Sequence, residues 1–295
     1  MASQYDEIGL SYESLKALPA ALVERANLRA VMTPLLQKRG PTTRPDDNDG
    51  VSVLDLACGT GYYSRLVLTW GASRVVGVDI SPAMIEAARS LVQSEECSDS
   101  GPDKSRLTFE VGDCTRPLTL TSSPARELTQ QHFDVVLGAW LLNYASCPAD
   151  LVAMFTNVSS HLNPGGRFVG IVPYPAPDLD AFAELFDPLL ESDRNQGGKY
   201  GVTVSYASRL PGGSGYRTKV TAHVKPREFS FESFHLGRDV YEVAARDGGL
   251  LGALEWVDVQ LPRTEEESRN EYGVDLEFWD GYLDAPHFGI LVVEK

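Results

Sequence analysis

The stretch VSVLDLACGTG, residues 51 to 61, limits the possible folds more than any other part of the chain. Val51, Val53 and Leu54 are the β-branched and apolar residues of a short buried strand. The run then passes an acid, Asp55, and turns through Gly59-Thr60-Gly61 into helix-compatible residues from Tyr62 to Trp70. Strand, glycine turn and helix in succession present a nucleotide-like ligand at the carboxyl end of the first strand of an α/β sheet. Glycine serves such a turn because a Cβ would hold the ligand off the backbone and because the turn calls for φ > 0.

The spacing narrows the ligand. A dinucleotide fingerprint, G-x-G-x-x-G, needs a glycine where this chain has Ser64, and the register starting at Ala57 puts Tyr62 at the last glycine. An NAD-dependent reductase is therefore the weaker reading, and a generic glycine turn of another α/β protein is the bland one. The pattern present, D-x-A-x-G-x-G, resembles the first motif of class I S-adenosylmethionine-dependent methyltransferases, whose cofactor has no pyrophosphate to seat on a helix N-terminus. The next segment, SRVVGVDI, reads as a second strand ending in Asp79, twenty residues past Gly59, where an acid can accept ribose hydroxyls. Ser81 supplies the cap and Pro82 the first position of the following helix, which leaves Asp79 for a ligand.

Composition closes off other classes. The chain has 295 residues, 43% of them apolar, enough for one sizeable core. Its acids outnumber its bases 41 to 26, a formal charge of −15, which disfavours nucleic acid and anionic membrane as partners. The N-terminus lacks the basic and apolar regions of a secretory signal, and no apolar run is long enough to span a membrane. The four cysteines, 58, 97, 114 and 147, have no C-x-x-C spacing, which fits a reducing, cytoplasmic setting and no metal site.

Taken in order, residues 5 to 38 read as a helical N-terminal segment and 39 to 50 as a polar loop. Strands then alternate with helices: the third strand is RLTFEV, the fourth FDVVLGAW and the fifth lies in LNPGGRFVGIVPY. This rhythm predicts a doubly wound parallel sheet. Polar loops at 94–105 and 117–131 interrupt it. After the fifth strand, TVSYAS, KVTAHV and REFSFESF read as antiparallel strands placed to cover the open end of the sheet. A helix near 238–248 and two late strands, LEWVDVQL and HFGILVVEK, complete the sheet. The expectation is one domain, 1–295, with an N-terminal helical cap (1–38), a cofactor-binding core (51–173), a substrate lid (174–236) and the end of the core sheet (237–295).

With these motifs in place the chain resembles class I methyltransferases over its whole length, most of all the small-molecule subgroup that includes toxoflavin synthase. The resemblance rests on YDEIGLSYESLK, VLDLACGTGYYSR, VVGVDISPAMI, GDC, AWLLNYA, LNPGGRFV, KYG, FSFESF and FWDGYL. It implies a Rossmann-like sheet of seven strands in the order 3-2-1-4-5-7-6, the last antiparallel. It also implies S-adenosylmethionine as cofactor and S-adenosylhomocysteine as product. By the same resemblance Asp55, Ala57, Gly59 and Gly61 hold the methionine end, and Asp79 takes the ribose with Ile80 and Met84 against the adenine. Asp113 and the Cys114 amide bond the adenine edge. Ala139, Trp140 and Tyr144 line the space beside the sulfonium, and Tyr5 and Tyr12 close over the cofactor.

The residues themselves agree with a sulfonium ligand, which is drawn to carboxylates and to aromatic faces such as Tyr62, Tyr63, Trp140 and Tyr144. Methyl transfer needs chiefly alignment and exclusion of water, so no catalytic dyad is required. His235, at the end of FSFESFHL, is the candidate base, against the commoner structural role of a lone histidine. His132 and His161 sit in surface-like contexts, and His287 only opens a late strand. For the lid, Tyr174, Tyr200, Tyr206, Phe234, Tyr241 and Trp279 form the expected aromatic wall, although each could be ordinary core. The acceptor expected is a nitrogen or oxygen of a small planar metabolite, with the protein a monomer or homodimer. The alternative is a protein of this fold that binds the cofactor yet acts as a cyclase or regulatory scaffold without methyl transfer.

Overall fold

A computed structural model describes residues 11–37, 50–94, 104–121, 132–186, 199–225 and 227–295. The N-terminal segment forms α1 (Ser11–Leu15) and α2 (Pro19–Gln37). The core then alternates β1 (Ser52–Leu56), α3 (Tyr62–Thr69), β2 (Arg74–Asp79), α4 (Pro82–Ser94), β3 (Leu107–Val111), β4 (Phe133–Ala139), α5 (Pro148–His161) and β5 (Leu162–Pro173). After α6 (Leu179–Glu184), three strands, β6 (Val202–Arg209), β7 (Gly215–Ala222) and β8 (Phe229–Leu236), form a separate antiparallel sheet. Then come α7 (Arg238–Asp247), β9 (Leu254–Val257), the short α8 (Glu265–Glu267) and β10 (Phe288–Glu294).

The main sheet has seven strands in the order β3-β2-β1-β4-β5-β10-β9, with β10 antiparallel to both neighbours. This is the order the sequence resemblance implied. The central strand β1, SVLDL, pairs in parallel with β2 and β4 and is apolar on both faces, as a strand covered by helices on each side must be. Alternate residues feed two cores. Val53, Val75, Val135 and Ile171 pack against α2, α3 and α4, while Leu54, Val76, Val136 and Phe168 pack against α5 and α7.

The helical cap is fixed by polar as well as apolar contacts. Along α2 the buried stripe includes Ala20, Val23, Leu28 and Met32, but also Glu24 and Asn27. Asn27 Nδ2 donates to the Gln260 carbonyl at 2.8 Å and Asn27 Oδ1 accepts from the Gln260 N–H at 2.7 Å, tying α2 to the chain after β9. Leu15 and Ala21 pack against Ala222 and Phe231 of the small sheet and against Val224 just after β7. Two details differ from expectation. The late strand LEWVDVQL is paired only over Leu254–Val257, and His161 is buried, its Nδ1 2.8 Å from the Asn157 carbonyl. Residues 39–49 and much of the loops at 94–105 and 117–131 lie outside the described residues, as does Cys97.

Candidate active site

The glycine turn takes the backbone shape its composition allows. Gly59 and Gly61 have φ of +55° and +74°, and Ala57 also takes a left-handed conformation at +58°. A Cβ on Gly61 would sit 2.5 Å from the Phe109 ring, so this glycine is required by packing as well as by φ. The Gly59 N–H donates to Asp79 Oδ2 at 2.8 Å and the Ser81 N–H to Asp79 Oδ1 at 2.9 Å, so the second-strand acid orients the first-strand turn. Ser81 Oγ accepts from the Met84 N–H at 3.2 Å, which is the cap expected at the start of α4.

These strand ends open on a cavity. Asp55, Ala57, Gly59, Asp79, Met84, Ala139, Trp140 and Tyr144 line it, so both strand-tip acids face one space. Tyr62 and Tyr63 complete its aromatic wall. Asp55 is fully buried and accepts from Ser64 Oγ at 2.5 Å. Burial, aided by Asp79 and opposed by Ser64 and Lys16, pushes its carboxyl up to about 7. Burial likewise pushes the Cys114 thiol up to about 12, so it is an unreactive filler.

Several expected cofactor residues are not among those lining this cavity. Gly61 caps α3 and does not line the cavity. Ile80 is 56% exposed beyond the wall, and Asp113 Oδ1 accepts from the N–H and hydroxyl of Thr115. Cys114 is packed in the core beneath β2 and α5. Tyr5 lies outside the described residues, as does the side chain of Tyr12.

A second, larger cavity lies between the main sheet, the small sheet and the N-terminal helices. Trp140 and Tyr144 line both cavities, so the two meet at the tip of β4. Trp140 has a φ of +65°, rare for a large residue, and its indole N–H donates to Glu24 Oε2 at 2.8 Å. Glu24 also accepts from the Tyr63 hydroxyl and pairs with Lys16 at 3.5 Å. Lys16 in turn stands 4.6 Å over the Tyr63 ring. A cavity wall built on strained backbone and held by a buried carboxylate from α2 is a fixed surface.

His235 and Tyr174 line this second cavity, with Tyr206, Phe182 and Phe231. The geometry is unfavourable for His235 as a base. Its Nε2 lies 2.8 Å from the Tyr174 carbonyl, which can only accept, so Nε2 carries the proton and Nδ1 accepts from the Tyr206 hydroxyl at 2.8 Å. Both ring nitrogens are thus engaged, and burial pushes the imidazole down to about 4. The ring holds Tyr206 in place.

The other expected wall residues are not on it. Phe234 points to the opposite face of β8 from Phe231, Ser233 and His235, as strand alternation requires. Tyr241 is core, edge-on to Trp256 between α7 and the sheet. Tyr200 and Trp279 stack at 6.2 Å in an aromatic cluster behind the cavity. In their place the cavity has Glu24 and Asn143, which the sequence did not single out, and His287, which it set aside as opening a late strand. For Glu24 a signal existed: an acid on the apolar stripe of α2. Asn143, in the turn Leu142–Tyr144, and His287, before β10, carried none that spacing could reveal.

A seven-stranded sheet with its final strand reversed, and a cavity walled by two strand-tip acids and four aromatic rings, define a class I methyltransferase fold. S-adenosylmethionine is the cofactor of that class. Residues 53–166 match the family model described as "Methyltransferase domain". The chain is 32% identical over 148 residues to a ribosomal protein L11 methyltransferase of Laribacter hongkongensis, an alignment covering 49% of this chain and 39% of that protein. It is 33% identical over 129 residues to a demethylmenaquinone methyltransferase of Symbiobacterium thermophilum, covering 43% and 42%. The chain thus spans about four tenths of the length of these two relatives. A crystal structure of a putative S-adenosylmethionine-dependent methyltransferase from Listeria monocytogenes, 16% identical, superposes with a TM-score of 0.50 over 92% of this chain and 98% of that one. That likeness speaks for the fold. Among the described residues no helix is long and apolar enough to cross a membrane, and no group of three or more His, Cys, Asp or Glu side chains is placed to hold a metal ion.

Proposed function

We propose that this protein transfers a methyl group from S-adenosylmethionine to a nitrogen or oxygen of a small planar metabolite. When bound, the cofactor supplies an electrophilic methyl on a sulfonium, with a neutral thioether as leaving group. The observation that carries the reading is the shared wall: Trp140 and Tyr144 belong at once to the acidic, aromatic cavity at the strand ends and to the larger apolar one beside it. Two reactants seated in those cavities meet at that wall in fixed orientation with water displaced, which is the main demand of an in-line displacement.

The residues divide the work. Asp79, already oriented by the Gly59 and Ser81 N–H groups, keeps lone pairs for ribose hydroxyls. Asp55 becomes a full carboxylate when a cation such as the cofactor ammonium lies near it. The faces of Tyr62, Tyr63, Trp140 and Tyr144 suit the sulfonium. Tyr174, Phe182, Tyr206 and Phe231 offer flat apolar surface to a ring. The resemblance of the LLNYA and FSFESF segments to the small-molecule subgroup supports the same substrate class, in secondary metabolism. The test is incubation with methyl-labelled cofactor and a small-molecule extract, followed by mass identification of labelled product. Release of S-adenosylhomocysteine only with protein or nucleic acid acceptors overturns the reading, and no release with any acceptor favours a scaffold.

A further inference from the structure

Among the described residues, most polar groups lining the larger cavity fall into two sets. One set is satisfied from within the protein. Glu24 has Lys16, Tyr63 and Trp140; His235 has Tyr206 and the Tyr174 carbonyl; the Thr218 and Ser233 hydroxyls lie 2.9 Å apart. The other set has two members. Asn143 Oδ1 and His287 Nδ1 are buried with no hydrogen-bond partner among the described residues, and both side chains line this cavity. Folded proteins seldom leave such atoms unpaired unless something outside the chain completes them.

Their chemistry specifies the missing partner. A carboxamide oxygen only accepts, so Asn143 Oδ1 calls for an N–H or O–H donor. His287 lies deep against the rings of Tyr200 and Tyr282, at 5.5 and 5.4 Å, where burial keeps it neutral, with one N–H and one bare nitrogen to offer. Among the described residues no Lys or Arg side chain lines the cavity, and none of them would offset the charge of a carboxylate or phosphate. Position adds the last constraint. Asn143 sits between Trp140 and Tyr144, the two residues common to both cavities, so a group bonded to it is held at their junction.

We propose that Asn143 and His287 form the substrate-reading subsite, and that the substrate is an uncharged planar molecule whose N–H or O–H edge bonds Asn143 at the cavity junction. This rests on the adjoining cavity being the methyl-donor site. Asn143 is a specificity and positioning residue: a ring anchored there presents its donor edge, and so its nucleophilic atom, toward the neighbouring cavity.

The test uses the full chain saturated with S-adenosylhomocysteine and a ligand-observed NMR screen of planar fragments in three equal classes. The classes are neutral rings with an N–H or O–H, the same scaffolds with those hydrogens methylated, and ring carboxylates. The expected result is a hit rate at least fivefold higher in the first class than in either other. Asn143→Leu should erase that preference while S-adenosylhomocysteine affinity stays within twofold. His287→Phe should weaken first-class hits about tenfold. Equal hit rates, a majority of carboxylates, no first-class hits, or a folded Asn143→Leu protein with the preference intact would each overturn the proposal. Failure of S-adenosylhomocysteine to bind is a separate result that removes the donor-site reading; the three classes are then compared on the protein alone.

Discussion

Asp55 and Asp79 share one cavity wall, yet the fold treats them differently. Asp79 spends its oxygens on two backbone N–H groups, whereas Asp55 is sealed in with one serine hydroxyl and its carboxyl lies at about 7 against an ordinary 3.8. Between those values the folded protein binds more protons than the unfolded chain. Stability therefore falls as pH rises from about 4 and levels off above about 7. Asp55→Asn cannot ionise and still offers Ser64 an acceptor. Urea denaturation should show that slope in the parent, a flatter profile in the variant, and a more stable variant at pH 8. Cofactor binding should run the other way. Titration calorimetry with S-adenosylhomocysteine should show affinity strengthening from pH 6 to pH 8 in the parent. Asp55→Asn should be flat with pH and at least tenfold weaker at pH 8.

At the scale of elements, the helices that matter most to the site are held by single polar residues. Asn157, on α5, donates to the Cys114 and Arg116 carbonyls and accepts from the Leu118 N–H, so it secures the whole turn after β3. Asn157→Ala leaves those buried groups unpaired and should cost about 3 kcal/mol in urea denaturation. Asn27 does the same between α2 and Gln260. Asn27→Leu should speed hydrogen exchange in residues 19–37 at least tenfold with a smaller change at β1 and β4. What the sequence made legible follows from this division. Strand alternation, the glycine turn and the Ser81 cap are local, so their residues declare them within a few positions. The cavity walls are not local. Phe234 and Tyr241 have the right chemistry for a wall, but one falls on the outer face of β8 and the other beneath the main sheet. Glu24, Asn143 and His287 reach the wall only through the packing of three separated segments, which no spacing records.

For the whole molecule, the decisive arrangement is two cavities side by side with different walls. The matched domain, 53–166, contains nearly all of the smaller one, whereas much of the larger is built from β6, β7, β8 and the N-terminal helices. The two should be separable by mutation. Val204→Trp, on β6 inside the larger cavity, should leave S-adenosylhomocysteine affinity within twofold and reduce turnover of any acceptor at least tenfold. Equal loss of both would mean that the cavities do not serve separate reactants. The N-terminal helices, however, belong to both: Lys16 closes the smaller space, while Leu15, Ala20, Ala21 and Glu24 roof the larger. One ceiling over two rooms links their traffic. On the proposed function, a displacement of these helices would open the donor and acceptor spaces together.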